Sequence, residues 1–372
     1  LSKFELSLSK DYVPSWTVVD AVRELFQNAL DQQTTVEDNV MFFNYDQNTH
    51  TLYIGNKSSV LSAKTLLLGT STKRDDPNTI GQFGEGYKIA TLVLTRLNKK
   101  VTFYNYGAKE VWNPRFVKSK RYEGEEILTF FVDKKFIWQK VPDNNLTITI
   151  EDINPHEYEQ VVESNLHCQD VGEIIETSAG RILLDPRHAK KVFVNGLFVC
   201  GNREYTYGYD FKPKELKIDR DRKLADNFEL KWLASKMCAQ VQDHDIVVEL
   251  IRQDAADIAF ISSMNMYADN QTKQRNLGAI ADKTYGRFIE EHGENAVPVT
   301  TQEEFDKVKK QYKPVIVSSS YASMVKKSDM YKAPRVKRQT TKDKLEEWYR
   351  NNKKNLSSKA SRKLKKIIDE MQ

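Results

Sequence analysis

The sequence predicts an α+β protein in which helices lie on an antiparallel-leaning sheet, and three observations lead there. Strand-like runs rich in β-branched and aromatic residues recur at 40–45, 51–54, 101–106, 127–132 and 146–150. Two apolar patterns of helical period interrupt them, over 14–33 and 87–97. Asn195-Gly196, flanked by apolar runs, is the strongest hairpin signal in the chain.

Taken in order, Phe4, Leu6 and Leu8 alternate as a strand does. Over 14–33, Val18, Val22, Leu25 and Ala29, with Val19, Phe26 and Leu30, repeat at helical spacing, and Pro14 suits a first turn, where its missing N–H costs nothing. Gly81, Gly84 and Gly86 precede the helix over 87–97, and the last strands close a first domain at 154. A second unit, 155–265, opens at Asn154-Pro155. It holds a strand at 181–184, the hairpin at 192–199, an aromatic run at 205–211 and a helix over 224–240. Residues 266–331 read as strand, helix, strand (296–299, 301–312, 314–317), a small α/β module or an annex to the second unit. Thr301 and Glu304 there have the spacing of a capping box. Helices over 342–351 and 358–371 complete a basic tail, 332–372.

At 372 residues two or three domains are expected. Mean hydropathy is −0.62 and no run approaches eighteen apolar residues, which argues against a membrane span. Residues 1–10 lack a long apolar stretch behind a basic start, so no secretory signal is expected in them. Cys168, Cys200 and Cys238 are odd in number and far apart, giving neither a disulfide framework nor a zinc knuckle. They point to a reducing compartment, the cytoplasm. The histidines are scattered, with no ligand spacing.

Chemistry concentrates in two segments. Glu24, Asn28 and Asp31 stand at i, i+4 and i+7 and line one helix face with two carboxylates and an amide. Buried, such groups need partners: water, a metal or a ligand. The bland alternative is an exposed polar stripe. The second segment, Ile80-Gly81-Gln82-Phe83-Gly84-Glu85-Gly86, places three glycines before a helix N-terminus, where free N–H groups and the dipole favour anions. Its order, G-x-x-G-x-G, is neither a P-loop nor a dinucleotide fingerprint. A plain flexible loop is the alternative.

Together, E-x-x-x-N-A-x-D on a helix and a glycine-rich lid running into another helix resemble the GHKL ATPase superfamily. Its members include gyrase, the heat-shock chaperone ATPases, MutL, the MORC proteins and the histidine kinases. The run from Leu66 to Lys73, ending Gly69-Thr70-Ser71-Thr72-Lys73, is similar to the MORC and phage-type branches. The run from Gly81 to Leu94 resembles phage proteins related to the T-even rapid-lysis protein A. Leu216-Lys217-Ile218-Asp219-Arg220-Asp221-Arg222 is similar to a chaperone segment whose arginine reaches the terminal phosphate. Arg220 is the nearest match and Arg222 the alternative, against a solvated charge cluster.

The resemblance implies a Bergerat-type α/β sandwich followed by a transducer-like (ribosomal S5 domain 2-like) α/β domain, with ATP and Mg²⁺ as cofactors and an ATP-dependent homodimer. It further implies that the Asn28 oxygen meets the metal, that Glu24 orients and deprotonates water, and that Asp31 supports the site through water. Ser71, Lys73 and the amides at Gly81, Gly84 and Gly86 would hold the phosphates, with Lys73 and Arg220 neutralising transferred charge. One departure stands out. Where the family carries D-x-G-x-G, this chain reads Leu52-Tyr53-Ile54-Gly55-Asn56-Lys57-Ser58-Ser59, leaving Asn56 as the adenine acceptor. A family threonine falls on Thr147 or Thr149, with Thr149 entered among the nucleotide ligands.

The expected function is thus a slow ATPase acting as a conformational switch. A nucleotide-binding module without turnover is the alternative. A histidine kinase-like phosphotransferase is disfavoured, because no histidine-bearing acceptor helix precedes the domain and a transducer-like domain follows it. Charge adds a partner. The tail holds 14 Lys/Arg and 5 Asp/Glu, a net of +9 against +5 for the whole chain. Such a segment, with an apolar stripe of Ala360, Leu364, Ile367 and Met371, can neutralise nucleic-acid phosphates. A solvated helical hairpin is the equal alternative, and a membrane-surface role comes third because the stripe is thin.

Overall fold

In the computed structural model, residues 1–66, 86–134, 145–216, 226–267, 271–334 and 340–371 are described. The protein is α+β, and its chain forms two compact units, Leu1–Lys273 and Gln274–Gln372.

The first unit begins with β1 (Ser2–Ser9), α1 (Val18–Thr35), β2 (Met41–Asp46), β3 (Thr51–Asn56), α2 (Gly86–Arg96) and β4 (Lys100–Asn105). Next come β5 (Glu110–Lys118), β6 (Glu126–Asp133) and β7 (Leu146–Glu151). The seven strands form one sheet in the order β1-β6-β5-β4-β7-β3-β2, every neighbouring pair antiparallel. Strand alternation gives the sheet one apolar face, carrying Ile54, Phe103, Trp112, Phe130 and Ile148. Helices α1 and α2 cover it with Ala21, Val22, Leu25, Ala90 and Val93 in a single core.

Helix α1 does not start at Pro14, as the sequence had suggested. Thr17 caps it in a capping box with Asp20, each side chain bonding the other's backbone N–H, so the first turn begins at Val18. Thr17 itself is extended, at φ −102° and ψ 177°, which breaks any helical path from Pro14.

The second part of the unit comprises α3 (Pro155–Glu163), β8 (Ile174–Glu176), β9 (Gly180–Leu183), β10 (Lys191–Val194), β11 (Leu197–Gly201) and β12 (Gly208–Phe211). Helices α4 (Asn227–Cys238) and α5 (His244–Arg252) follow. The five strands form a second sheet, β11-β10-β12-β9-β8, in which only β10 and β12 run parallel. Asn195 and Gly196 make the expected two-residue hairpin turn with φ of 49° and 78°. Asp210 fixes that turn by accepting Gly196 N–H at 2.7 Å while pairing with Arg181. The fully buried Asp257 accepts Tyr209 Oη–H at 2.6 Å and Thr206 N–H at 2.9 Å, tying its own segment to β12.

The second unit begins within α6 (Gln271–His292) and continues through β13 (Ala296–Val299), α7 (Gln302–Val308), β14 (Lys313–Ile316) and α8 (Ser319–Lys327). It ends in α9 (Thr341–Asn352) and α10 (Ser358–Glu370). Strands β13 and β14 are parallel, joined by α7. Thr301 caps α7 as expected, but Glu304 reaches back to Thr300 N–H and its hydroxyl, so the box closes one residue early.

Candidate functional site

Helix α1 lies between two partners, so even its polar face is buried. Glu24 and Asp31 are each 1% exposed and Gln27 2%, with Asn28 half-buried beside them. The spacing read from the sequence therefore does put Glu24, Asn28 and Asp31 on one face, and that face is covered. Asn28 Nδ2 donates to Glu24 O at 2.7 Å, which turns the amide nitrogen along the helix and the carbonyl oxygen away from it. Beside Glu24, the Arg23 guanidinium brings Nη2 to 3.6 Å from Oε1, while its Nη1 lies 3.7 Å from Asp20 Oδ1. Among the described residues, Arg23 Nε and Nη2 have no hydrogen-bond acceptor although both are buried. Buried donors in that state favour a water or an anionic oxygen nearby.

Asn56 ends β3 on the helix-facing side. Its Nδ2 donates to Ala29 O at 2.9 Å and Asn39 O at 3.3 Å, which joins the strand to α1 one residue past Asn28. With the nitrogen so used, Oδ1 is the end of the amide that can accept. Asn39 is itself held, taking Ser58 N–H at 2.8 Å and donating to Ser59 at 2.9 Å. Gly55 is dictated by packing, since a Cβ there would meet Leu146 O at 1.9 Å.

In β7, Leu146 pairs with Asn56 and Ile148 with Ile54, so Leu146, Ile148 and Ile150 share the helix face. Thr147 and Thr149 point to the opposite face and do not join the groups around α1. Gly86 is the first residue of α2, which packs directly on α1. Ser71, Lys73, Gly81, Gly84, Arg220 and Arg222 lie outside the described residues.

Two buried cations went unread in the sequence. Arg23 is 8% exposed, stacks 5.9 Å from the Trp16 ring and donates from Nη1 to Phe198 O of β11 at 3.2 Å. Lys88, fully buried on the first turn of α2, lies 5.7 Å from the Tyr87 ring. Their only signal was a charge on a helix whose neighbours are apolar. Tyr87 itself is tied by its hydroxyl to Thr65 at 3.0 Å, and burial pushes its pKa up.

Glu24, Asn28 and Asp31 offer hard oxygen donors, the type a magnesium ion takes. Among the described residues no three His, Cys, Asp or Glu side chains cluster as a metal cage. Magnesium needs few protein oxygens, completing its shell with water and phosphate. A separate cleft in the second unit, between β13, α7 and α9, is lined by charges that pair with one another, as Lys307 does with Glu303 and Lys310 with Glu347. The three cysteines are free thiols, and burial pushes Cys168 up to about 11 and Cys238 up to about 12. Among the described residues no helix is long and apolar enough to cross a membrane.

No protein-family model matches the chain. The chain is similar to an uncharacterised protein of Mycoplasma pneumoniae, 24% identical over 220 residues that cover 57% of this chain and 85% of that one.

Proposed function

We propose that this chain is a GHKL-type protein of the Bergerat fold that binds ATP with Mg²⁺ and hydrolyses it slowly as a conformational switch. The observation that carries the reading is the buried face of α1. It gathers Glu24, Asn28 and Asp31 beneath a strand end where Asn56 is bonded to Ala29. The helix that emerges from the glycine segment packs alongside.

Bound Mg–ATP would supply an electrophilic terminal phosphate with its charge partly neutralised. The Asn28 oxygen would hold the metal, and Asp31 would orient water beside it. Glu24 holds the attacking water and takes its proton, a role worth about 10²–10⁴-fold in rate. Asn56 Oδ1 accepts from the base. Ser71, Lys73, Gly81, Gly84 and Arg220 belong to the reading through sequence resemblance.

Glu24→Ala tests it. Turnover of radiolabelled ATP should fall at least about 100-fold, while the Kd for ATP by titration calorimetry stays within about threefold, one RT of binding energy being a small change. The Arg23 cation beside Glu24 supports a second reading, because it competes with water for the carboxylate. In that case the chain binds nucleotide without turnover, and wild type and variant are equally inactive. Loss of ATP binding in wild type itself would sink both.

A further inference from the structure

We propose that the α9–α10 hairpin is a nucleic-acid-binding surface that grips the phosphate backbone through the outer face of α10. The sequence placed an apolar stripe on Ala360, Leu364, Ile367 and Met371. In the structure the inward face is rotated part-way round the helix, keeping Leu364 and Met371 but exchanging Ala360 and Ile367 for Ser361 and Ile368. Ile368 is buried, Ile367 is 52% exposed, and Ser361 bonds the Tyr349 hydroxyl of α9 at 2.7 Å. Leu364 and Met371, half-buried, share that inner side, and Lys342 of α9 closes the far end on Met371 O at 2.6 Å.

This rotation turns the cations outward together. At 100° per residue, Lys359, Arg362, Lys363, Lys365 and Lys366 fall within an arc of about 160°, opposite Leu364 and Ile368. All five are exposed, as are Lys353 and Lys354 in the turn between the helices. Two acids, Asp369 and Glu370, share this face with the five cations and leave it net positive, while the other three acids of the tail are engaged elsewhere. Asp343 caps α9, Glu346 lies near Arg350, and Glu347 pairs with Lys310. Among the described residues only Lys366 has an acid nearby, Glu370 at 3.8 Å; Lys353, Lys354, Lys359, Arg362, Lys363 and Lys365 have none.

A polyanion fits such a face better than a bilayer does. The apolar side chains of α10 are turned into the hairpin, leaving Ile367 alone as a wedge, whereas a surface-lying membrane helix needs a broad apolar face. From Lys359 to Lys366 the helix rises about 10 Å, enough for several phosphates along a duplex. Contacts of this kind read charge and not sequence. The inference rests on the second unit and stands apart from the nucleotide reading.

The test uses the full chain and a fluorescein-labelled 20-base-pair DNA duplex, with an RNA duplex of the same sequence beside it, followed by anisotropy. With about four phosphate contacts, affinity should fall about 100-fold between 50 and 200 mM salt. The variant R362Q/K363Q/K365Q/K366Q should lose at least tenfold at 50 mM and show a flatter salt slope. Replacing Lys363, Lys365 and Lys366 by arginine should keep both. Matching circular dichroism melts for all three proteins tie the loss to charge. Three results overturn the proposal: no salt-sensitive binding by wild type, a glutamine variant as tight as wild type, or binding to phosphatidylserine vesicles with none to either duplex.

Discussion

Asn56 shows how one residue's partners decide its identity. The resemblance leads one to expect aspartate, and the chain has asparagine because both groups facing its Nδ2, Ala29 O and Asn39 O, are acceptors. A carboxylate there would set oxygen against two carbonyl oxygens inside a 2%-exposed site. Asn56→Asp should therefore cost about 1–3 kcal/mol in urea unfolding, and an unchanged midpoint would show those bonds to be idle. His188 answers to pH. It is 1% exposed, its ring packed against Phe193. Burial pushes its pKa below the ordinary 6.5, with Lys191 and Arg187 acting the same way and Asp185 against them. The folded state then binds fewer protons than the unfolded one, so stability rises with pH through this window. As pH falls below 6.5 and on through the lowered folded value, that contribution is lost. Thermal melts at pH 7.5 and 5.5 should show a drop that His188→Phe reduces; an equal drop in both would assign it elsewhere.

Elements were legible where pattern and capping agree. The α1 period, the Asn195-Gly196 turn and the strand-helix-strand run of β13, α7 and β14 all appeared at their places within a few residues. Strand β5 did not, because Pro114 interrupts it. The sheet tolerates that proline because β4 pairs only with Glu110, Val111 and Trp112, so Pro114 has β6 as its single partner. Helix α3 was announced by Asn154, Pro155 and Glu157, which form a complete capping box with proline in the first turn. Those residues were read only as a boundary. The parity of β7 was also readable, since Leu146, Ile148 and Ile150 are the apolar set and must face the core, which sends both threonines away. What no pattern could give was Arg23 and Lys88, whose burial depends on what packs over them. The cap of α1 carries its own expectation. Thr17→Ala removes one side of the box and should cost about 1 kcal/mol, read as a shift in urea midpoint with unchanged slope; a shift below about 0.5 kcal/mol, the size of an ordinary surface substitution, would mean the cap is redundant.

At the scale of the molecule, α1 is the piece that both sheets of the first unit share. Its apolar side enters the seven-stranded core, while Phe26 and Leu30 pack on Leu197 of β11 and Phe26 stacks 5.6 Å from His167. Arg23 spans the same junction, bonded to Phe198 O on one side and 3.6 Å from Glu24 on the other. A shift of the five-stranded sheet would therefore move a cation that flanks Glu24, the route by which the proposed switch would couple nucleotide state to the second sheet. The route has a measurable size. Arg23→Met removes the bond to Phe198 and the neighbouring charge, and should destabilise the chain by about 1.5–3 kcal/mol, the range for hydrogen bonds to charged groups. Combining it with Glu24→Gln should cost less than the two single changes added, with a coupling of at least about 0.5 kcal/mol, because residues in contact are not independent. Strict additivity in urea unfolding would show that Arg23 serves only the junction with β11 and that Glu24 does not sense it.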